Sequence, residues 1–233
     1  MSINLNTLDG TPLNLHCCNE FLEYYNNPNS YTKHIIDFEI NNGHYNDADF
    51  QKIFANKDAV VIDAGANIGL FSLMVQKFSK KVFAIEPTSQ HLNVLKTLCK
   101  IHDMDNIEFC ELAFNNYNGT CNFAVDESNT TTNRIADSGA AIKCMRIFDF
   151  ISTCGESKID LLKLDIEGGE LFAVLNDDTF DKCSSVVDNI YIEMHPPTVN
   201  PQQIVDKLYA MGYKVKCMNS EYLNNNLNVL AFK

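Results

Sequence analysis

Tryptophan is missing from the 233 residues, and arginine occurs only twice, at Arg134 and Arg146. A chain so poor in guanidinium has little means of gripping phosphate in a bidentate fashion. Its net charge of -12 further repels phosphate backbones and anionic lipid headgroups. Nucleic acid is therefore not an expected partner. No stretch approaches 18 consecutive apolar residues, and Met1-Ser2-Ile3-Asn4-Leu5-Asn6 lacks a basic region followed by an apolar core. Membrane insertion and secretion are not expected, which leaves the cytoplasm. The nine cysteines contain no C-x-x-C pair, so neither a zinc site nor a disulfide framework is indicated, and most are expected to be small buried apolar residues.

What the chain does contain is the composition of a globular α/β domain, 45% hydrophobic. Residues 1–55 are polar, Asn- and Tyr-rich and weakly patterned, with helices expected near Asn19–Tyr25 and Asp47–Phe54. They read as a helical cap or lid that covers a ligand or shapes an acceptor pocket. The competing reading is an extra layer packed on the sheet. Residues 56–233 form the main domain.

That domain is organised around Val60-Val61-Ile62-Asp63-Ala64-Gly65-Ala66-Asn67-Ile68-Gly69. An apolar strand, a glycine turn and an apolar helix start follow one another, and Asp63 falls at the strand's carboxyl end, where open α/β sheets bind ligands. A dinucleotide fingerprint would need two further glycines, where Asn67 and Leu70 stand. A cationic ligand without phosphate needs neither, and S-adenosylmethionine meets both conditions. Val82-Phe83-Ala84-Ile85 makes a second strand ending at Glu86, about 20 residues after Gly65, the offset at which an acidic side chain reaches ribose hydroxyls.

A helix over His91–Ile101 and a third strand over Ile107–Leu112 complete a βαβαβ order, hence a parallel sheet with right-handed crossovers. Gly119 leads into a strand at Cys121–Val125 paired with Ala140–Ile147, and Asp126 to Ser138 is a polar loop over the ligand face. Ile159–Leu164 then ends in Asp165-Ile166-Glu167-Gly168-Gly169-Glu170, a second acidic turn on the same sheet edge. Asn189–Met194 repeats the pattern and ends at Glu193 and His195. A helix over Pro201–Met211 and a β-hairpin of Tyr213–Met218 with Leu227–Phe232 close the chain.

Seven principal strands with a terminal antiparallel hairpin resemble the Rossmann-like S-adenosylmethionine-dependent methyltransferase sheet, for which the order 3-2-1-4-5-7-6 is expected. Within that superfamily, Val61–Gly69 together with Leu162-Lys163-Leu164-Asp165-Ile166-Glu167-Gly168-Gly169-Glu170 resemble the FkbM family. Ala113, Gly119 and Glu193-Met194-His195 suit it as well; Gly169 departs from the alanine more usual there. The resemblance implies an O-methyltransferase acting on a hydroxyl of a sugar, glycan or glycosylated small molecule. The cofactor residues then expected are Asp63, Gly65, Ala66, Asn67, Gly69, Glu86, Ala113 and Asp165.

Methyl transfer to a neutral hydroxyl gains from a positioned base. Asp165, Glu167 and His195 are the candidates, although Asp165 could simply cap the following helix and Glu170 reads as structural. Asp165, Glu167, Glu193 and His195 could instead converge on a magnesium ion; spacing does not decide this, and the metal stays unassigned. The competing functions are a nicotinamide-dependent oxidoreductase and a non-catalytic cofactor-binding domain of a glycan-assembly complex. A nucleic-acid N-methyltransferase is disfavoured, since His195-Pro196-Pro197-Thr198 only superficially echoes its acceptor motif.

Overall fold

The run Ala59-Val60-Val61-Ile62 can be satisfied only by cover on both faces, and it receives it. In the computed structural model, which describes residues 1–27, 30, 32–41, 44–125, 133–218 and 227–233, every residue of the strand Ala59–Ala64 (β3) is buried. It is an interior strand of a seven-stranded sheet. Two short N-terminal strands, Ser2–Asn6 (β1) and Pro12–His16 (β2), precede it in the chain. The other sheet members are Ser79–Ile85 (β4), Ile107–Cys110 (β5), Ile159–Leu164 (β10), Val187–Met194 (β11), Lys214–Met218 (β12) and Leu227–Phe232 (β13). The spatial order is β12-β13-β11-β10-β3-β4-β5. Numbered by chain order from the β5 edge, that is 3-2-1-4-5-7-6. The pairs among β11, β10, β3, β4 and β5 are parallel, while β13 runs antiparallel to both β11 and β12.

Side-chain alternation along these strands feeds two apolar layers. Ile62, Ala64, Phe83, Ile85, Leu162, Leu164, Ile190 and Ile192 face one layer, which is completed by the helices Ile147–Thr153 and Pro201–Ala210. Val61, Val82, Ala84, Leu161 and Tyr191 face the other, with the helices Leu70–Val75 and Ser89–Ile101.

Residues 1–55 belong to this second layer, and here the sequence expectation needs correction. The segment is not purely helical: it begins with the antiparallel hairpin β1–β2, followed by helices that include Asn19–Asn26 and Ala48–Lys52. Ile3, Leu5, Leu15, Phe21, Ile36, Ile40, Tyr45, Phe50 and Phe54 are buried in the same cluster as the sheet residues. The Tyr45 ring lies 5.1 Å from Phe71 and 5.7 Å from Tyr191, so an aromatic group rivets the segment to the sheet.

Two more departures occur after β5. Ala113–Phe114 (β6), Gly119–Ala124 (β7), Arg134–Ile135 (β8) and Ala140–Met145 (β9) form a separate four-stranded sheet, ordered β6-β9-β7-β8. Part of the expected loop is thus strand; its residues 126–132, like the Asn-rich turn at 219–226, lie outside the described residues. The strand expected to reach Ile147 stops at Met145, because Ile147, Phe150 and Ile151 form the buried side of a helix. All nine cysteines are free, and four of them are fully buried. Among the described residues, no helix is long and apolar enough to cross a membrane.

Candidate active site

The carboxyl ends of β3, β4, β10 and β11 surround a cavity of about 390 Å³. Its floor is the glycine turn. Gly65, Asn67 and Gly69 all have positive φ, at 78°, 50° and 88°, and Asn is among the few non-glycine residues that adopt this conformation readily. Every backbone N–H from residue 65 to 69 is committed within the protein. Gly65 and Ala66 donate to Ile85 O and Asn67 to Glu86 Oε2; Ile68 donates to Asn67 Oδ1 and Gly69 to Ala66 O. The cradle of free amides that a pyrophosphate requires is therefore absent.

Glu86 closes this turn. Besides Asn67, it accepts from Thr88 N at 2.9 Å, and its Oε1 lies 3.4 Å from His91 Nδ1. It is only 5% exposed, yet it lines the cavity together with Pro87, Leu112 and Ala113. A carboxylate offers about four acceptor sites, so one so held keeps capacity for further hydroxyl donors.

The opposite wall carries the acidic cluster. Asp165 extends past β10, and its Oδ2 sits 3.3 Å from Nζ of Lys163, which reaches equally far to Asp63 Oδ1. Burial opposes the charge on Lys163, but Asp165, Asp63 and Glu193 outweigh it and hold the ammonium above its ordinary range. On its other side, Asp165 Oδ1 lies 3.7 Å from His195 Nε2. That nitrogen is also 3.5 Å from Glu167 Oε2 and 4.0 Å from Glu193 Oε1, while Nδ1 is 3.2 Å from Glu170 Oε1. Burial likewise works against an imidazolium here, yet the hydrogen bond and charge of Glu170, then Asp165 and Glu167, raise His195 to about 10. Glu167 moves the other way in effect: burial first, and the Asp165 charge second, push its carboxyl up to about 8. Glu167 adopts a φ of 53°, costly for a residue other than glycine, and Gly168 beside it leaves room for Thr198 of the next loop.

The expected residues therefore divide. Gly65, Ala66, Asn67, Glu86, Ala113, Asp165, Glu167 and His195 line one cavity. Asp63 and Gly69 do not. Asp63 lies fully buried behind the wall, accepting from Ser72 Oγ at 2.6 Å and pairing with Lys163; Gly69 makes room for Leu95 packed on the helix start. The raised value of His195 favours its imidazolium form. Sequence reasoning passed over Lys163, whose signal was an ammonium in mid-strand among buried apolar neighbours, and read Glu170 as structural. The donor atoms of Asp165, Glu167 and His195 fall within 4.8 Å of one another, but a cation there would have to displace the proton from Nε2.

A family model described as the methyltransferase FkbM domain matches residues 63–215. The chain belongs to the FkbM methyltransferase family. Solved structures resemble this FkbM chain over most of its length. An FkbM methyltransferase from Methylobacillus flagellatus KT shares 16% identity at a TM-score of 0.54, over 76% of this chain and 44% of that one. TrmK of M. capricolum, in complex with S-adenosyl-homocysteine, shares 11% at 0.50, over 80% and 68%. WbdD shares 14% at 0.50, over 79% and 39%. The chain thus spans less than half the length of the Methylobacillus protein. No curated protein matches it by sequence. At these identities the likeness shows the fold, a methyltransferase-like α/β sheet.

Proposed function

We propose that this FkbM protein transfers the methyl group of S-adenosylmethionine to a hydroxyl of a sugar, glycan or glycosylated small molecule. The observation that carries the reading is the pairing of a glycine turn whose amides are all committed within the protein with a carboxylate rim around one cavity. The commitment of all five amides from residue 65 to 69 within the protein counts against a nicotinamide dinucleotide, whose pyrophosphate would need them. Gly65, Ala66, Asn67 and Ala113 offer a close, uncharged surface, and Glu86 offers hydroxyl acceptors.

The donor supplies an activated methyl group on sulfur. The chain's residues deal with the acceptor. Its oxygen forms the new bond to the methyl carbon as the carbon–sulfur bond breaks, and its proton passes to Glu167, whose raised carboxyl matches a base working near neutrality. Asp165, held between Lys163 and His195, accepts a hydrogen bond that orients the acceptor. Thr32, His34, Ile35, Ile40 and Tyr45 line the same cavity, so residues 1–55 act as the acceptor wall, with an apolar flank suited to a sugar ring face. Residues 56–233 are the methyltransferase domain.

The test is methyl transfer from labelled donor to a panel of monosaccharides, glycosides and RNA, with and without chelator. Transfer to a hydroxyl acceptor that is indifferent to chelator is expected. Transfer confined to RNA would overturn the acceptor class, and tight donor binding without transfer to anything would favour the non-catalytic reading. Loss of activity with chelator, restored by magnesium, would put a cation at the Asp165 cluster.

A further inference from the structure

Glu170 carries a carboxylate with no solvent exposure at all, set among Asp165, Glu167 and Glu193. A charge buried in such company is costly unless it is paired and hydrogen-bonded. Glu170 Oε1 has two donors. One is the backbone N–H of Ile166 at 3.1 Å, the peptide that separates Asp165 from Glu167. The other is His195 Nδ1 at 3.2 Å.

We propose that Glu170 is the positioning residue of the site, fixing in one grip the loop that presents Asp165 and Glu167 and the imidazole that faces both. The inference deepens the methyl-transfer reading and rests on it for its kinetic consequence. Nδ1 bound to Glu170 leaves one edge of the ring, Nε2, to meet Asp165 Oδ1 at 3.7 Å, Glu167 Oε2 at 3.5 Å and Glu193 Oε1 at 4.0 Å. Glu170 itself does not line the cavity, so it acts through these groups and not on substrate. Lys163, the other cation nearby, reaches Asp165 on the oxygen that His195 does not face. Asp165 is thus held from two sides, by Lys163 and by the imidazole that Glu170 fixes, and Glu167 faces the same imidazole. A carboxylate that orients a histidine this way recurs in unrelated hydrolases and metal sites, because one ring nitrogen must be tied down for the other to be aimed.

The experiment compares the whole chain with its Glu170→Gln and Glu170→Leu variants. S-adenosylhomocysteine affinity, read by calorimetry, should stay within about threefold in Glu170→Gln, while turnover at saturating donor falls about 10²-fold, the loss typical of a misplaced reacting group. In ¹⁵N-histidine spectra of the wild-type chain, the Nδ1 proton of His195, assigned by its absence in His195→Asn, should be protected from exchange and shifted to low field. It should lose both properties in Glu170→Gln. Unchanged turnover in a folded Glu170→Gln variant would overturn the proposal. So would a wild-type Nδ1 proton that exchanges freely, a result that holds even where neither variant folds. A wild-type protein that methylates no acceptor defeats the methyl-transfer reading but leaves the spectroscopic outcome to decide the role of Glu170.

Discussion

A side chain on Gly65 would place its Cβ 1.7 Å from the carbonyl oxygen of Asp165. The first glycine turn and the acidic loop after β10 are therefore packed backbone against backbone, reinforced by the hydrogen bond from Asp165 N to Ala64 O at 3.1 Å. The φ of 78° alone would cost an alanine about 1–3 kcal/mol, and the collision adds to it. Gly65→Ala should lower the unfolding midpoint by several degrees and abolish donor binding, as measured by thermal denaturation and calorimetry. Wild-type values for both would mean that the two loops are not in contact.

Lys163→Met leaves Asp63 as a fully buried carboxylate without its cation. Removing one partner of a buried pair costs about 3–5 kcal/mol. Urea denaturation should show a loss of that size, and adding Asp63→Asn should recover much of it. A loss below about 1 kcal/mol in the single variant would show that the Lys163–Asp63 pair contributes little to the native state.

Glu86→Gln should raise the dissociation constant for S-adenosylhomocysteine by about 10- to 100-fold, the worth of one charged hydrogen bond. Glu86 also accepts from Asn67 N and Thr88 N, so part of the loss will come from a looser turn. Turnover at saturating donor should hardly change. An unchanged dissociation constant would remove Glu86 from the donor site.

The rate should follow a bell-shaped curve in pH. Glu167 has to be ionised to accept a proton, so activity climbs through its value of about 8; His195 has to remain charged to face Asp165 and Glu167, so activity declines through about 10. Glu167→Gln should erase the rising limb and lower turnover by about 10²–10⁴-fold. The charge on His195 also bears on stability with a definite sign. Its folded value stands above the ordinary 6.5, so its contribution is complete below that pH and disappears as pH rises towards 10. A pH–rate profile that is flat between 7 and 10 would contradict both assignments.

The central strands were legible because full burial on two faces leaves uninterrupted apolar runs, as in Val60-Val61-Ile62 and Ile190-Tyr191-Ile192. Glu86 was legible too, since the offset from a glycine turn to the second strand end is set by one helix and one strand. The first hairpin was missed although its signal was present: Ile3 and Leu5 alternate with polar residues, as do Leu13 and Leu15, around Asp9-Gly10. Five-residue strands in an Asn-rich segment carry too few apolar positions to stand out. Asp63 fell on the right edge of the sheet but behind the cavity, because strand alternation fixes a side chain's face and not its depth. Glu170 could not be placed from sequence, since its partner His195 lies 25 residues on, past β11, and the helix it opens, Leu171–Leu175, has the wider turn of a π-helix in place of the 3.6-residue period.

β3 is threaded between β4, its near neighbour in the chain, and β10, which is translated only after the whole four-stranded sheet and another helix. Until that late strand docks, Asp63 has no ammonium to meet and the acidic loop has no glycine turn to lean on. The midline of the sheet thus closes late, a long-range pairing of the kind that makes folding slow. A ribosome-bound chain that stops short of Leu164 leaves the strongly apolar β3 unpaired on the edge that awaits β10, and that is the stage at which a chaperone would be of most use to it.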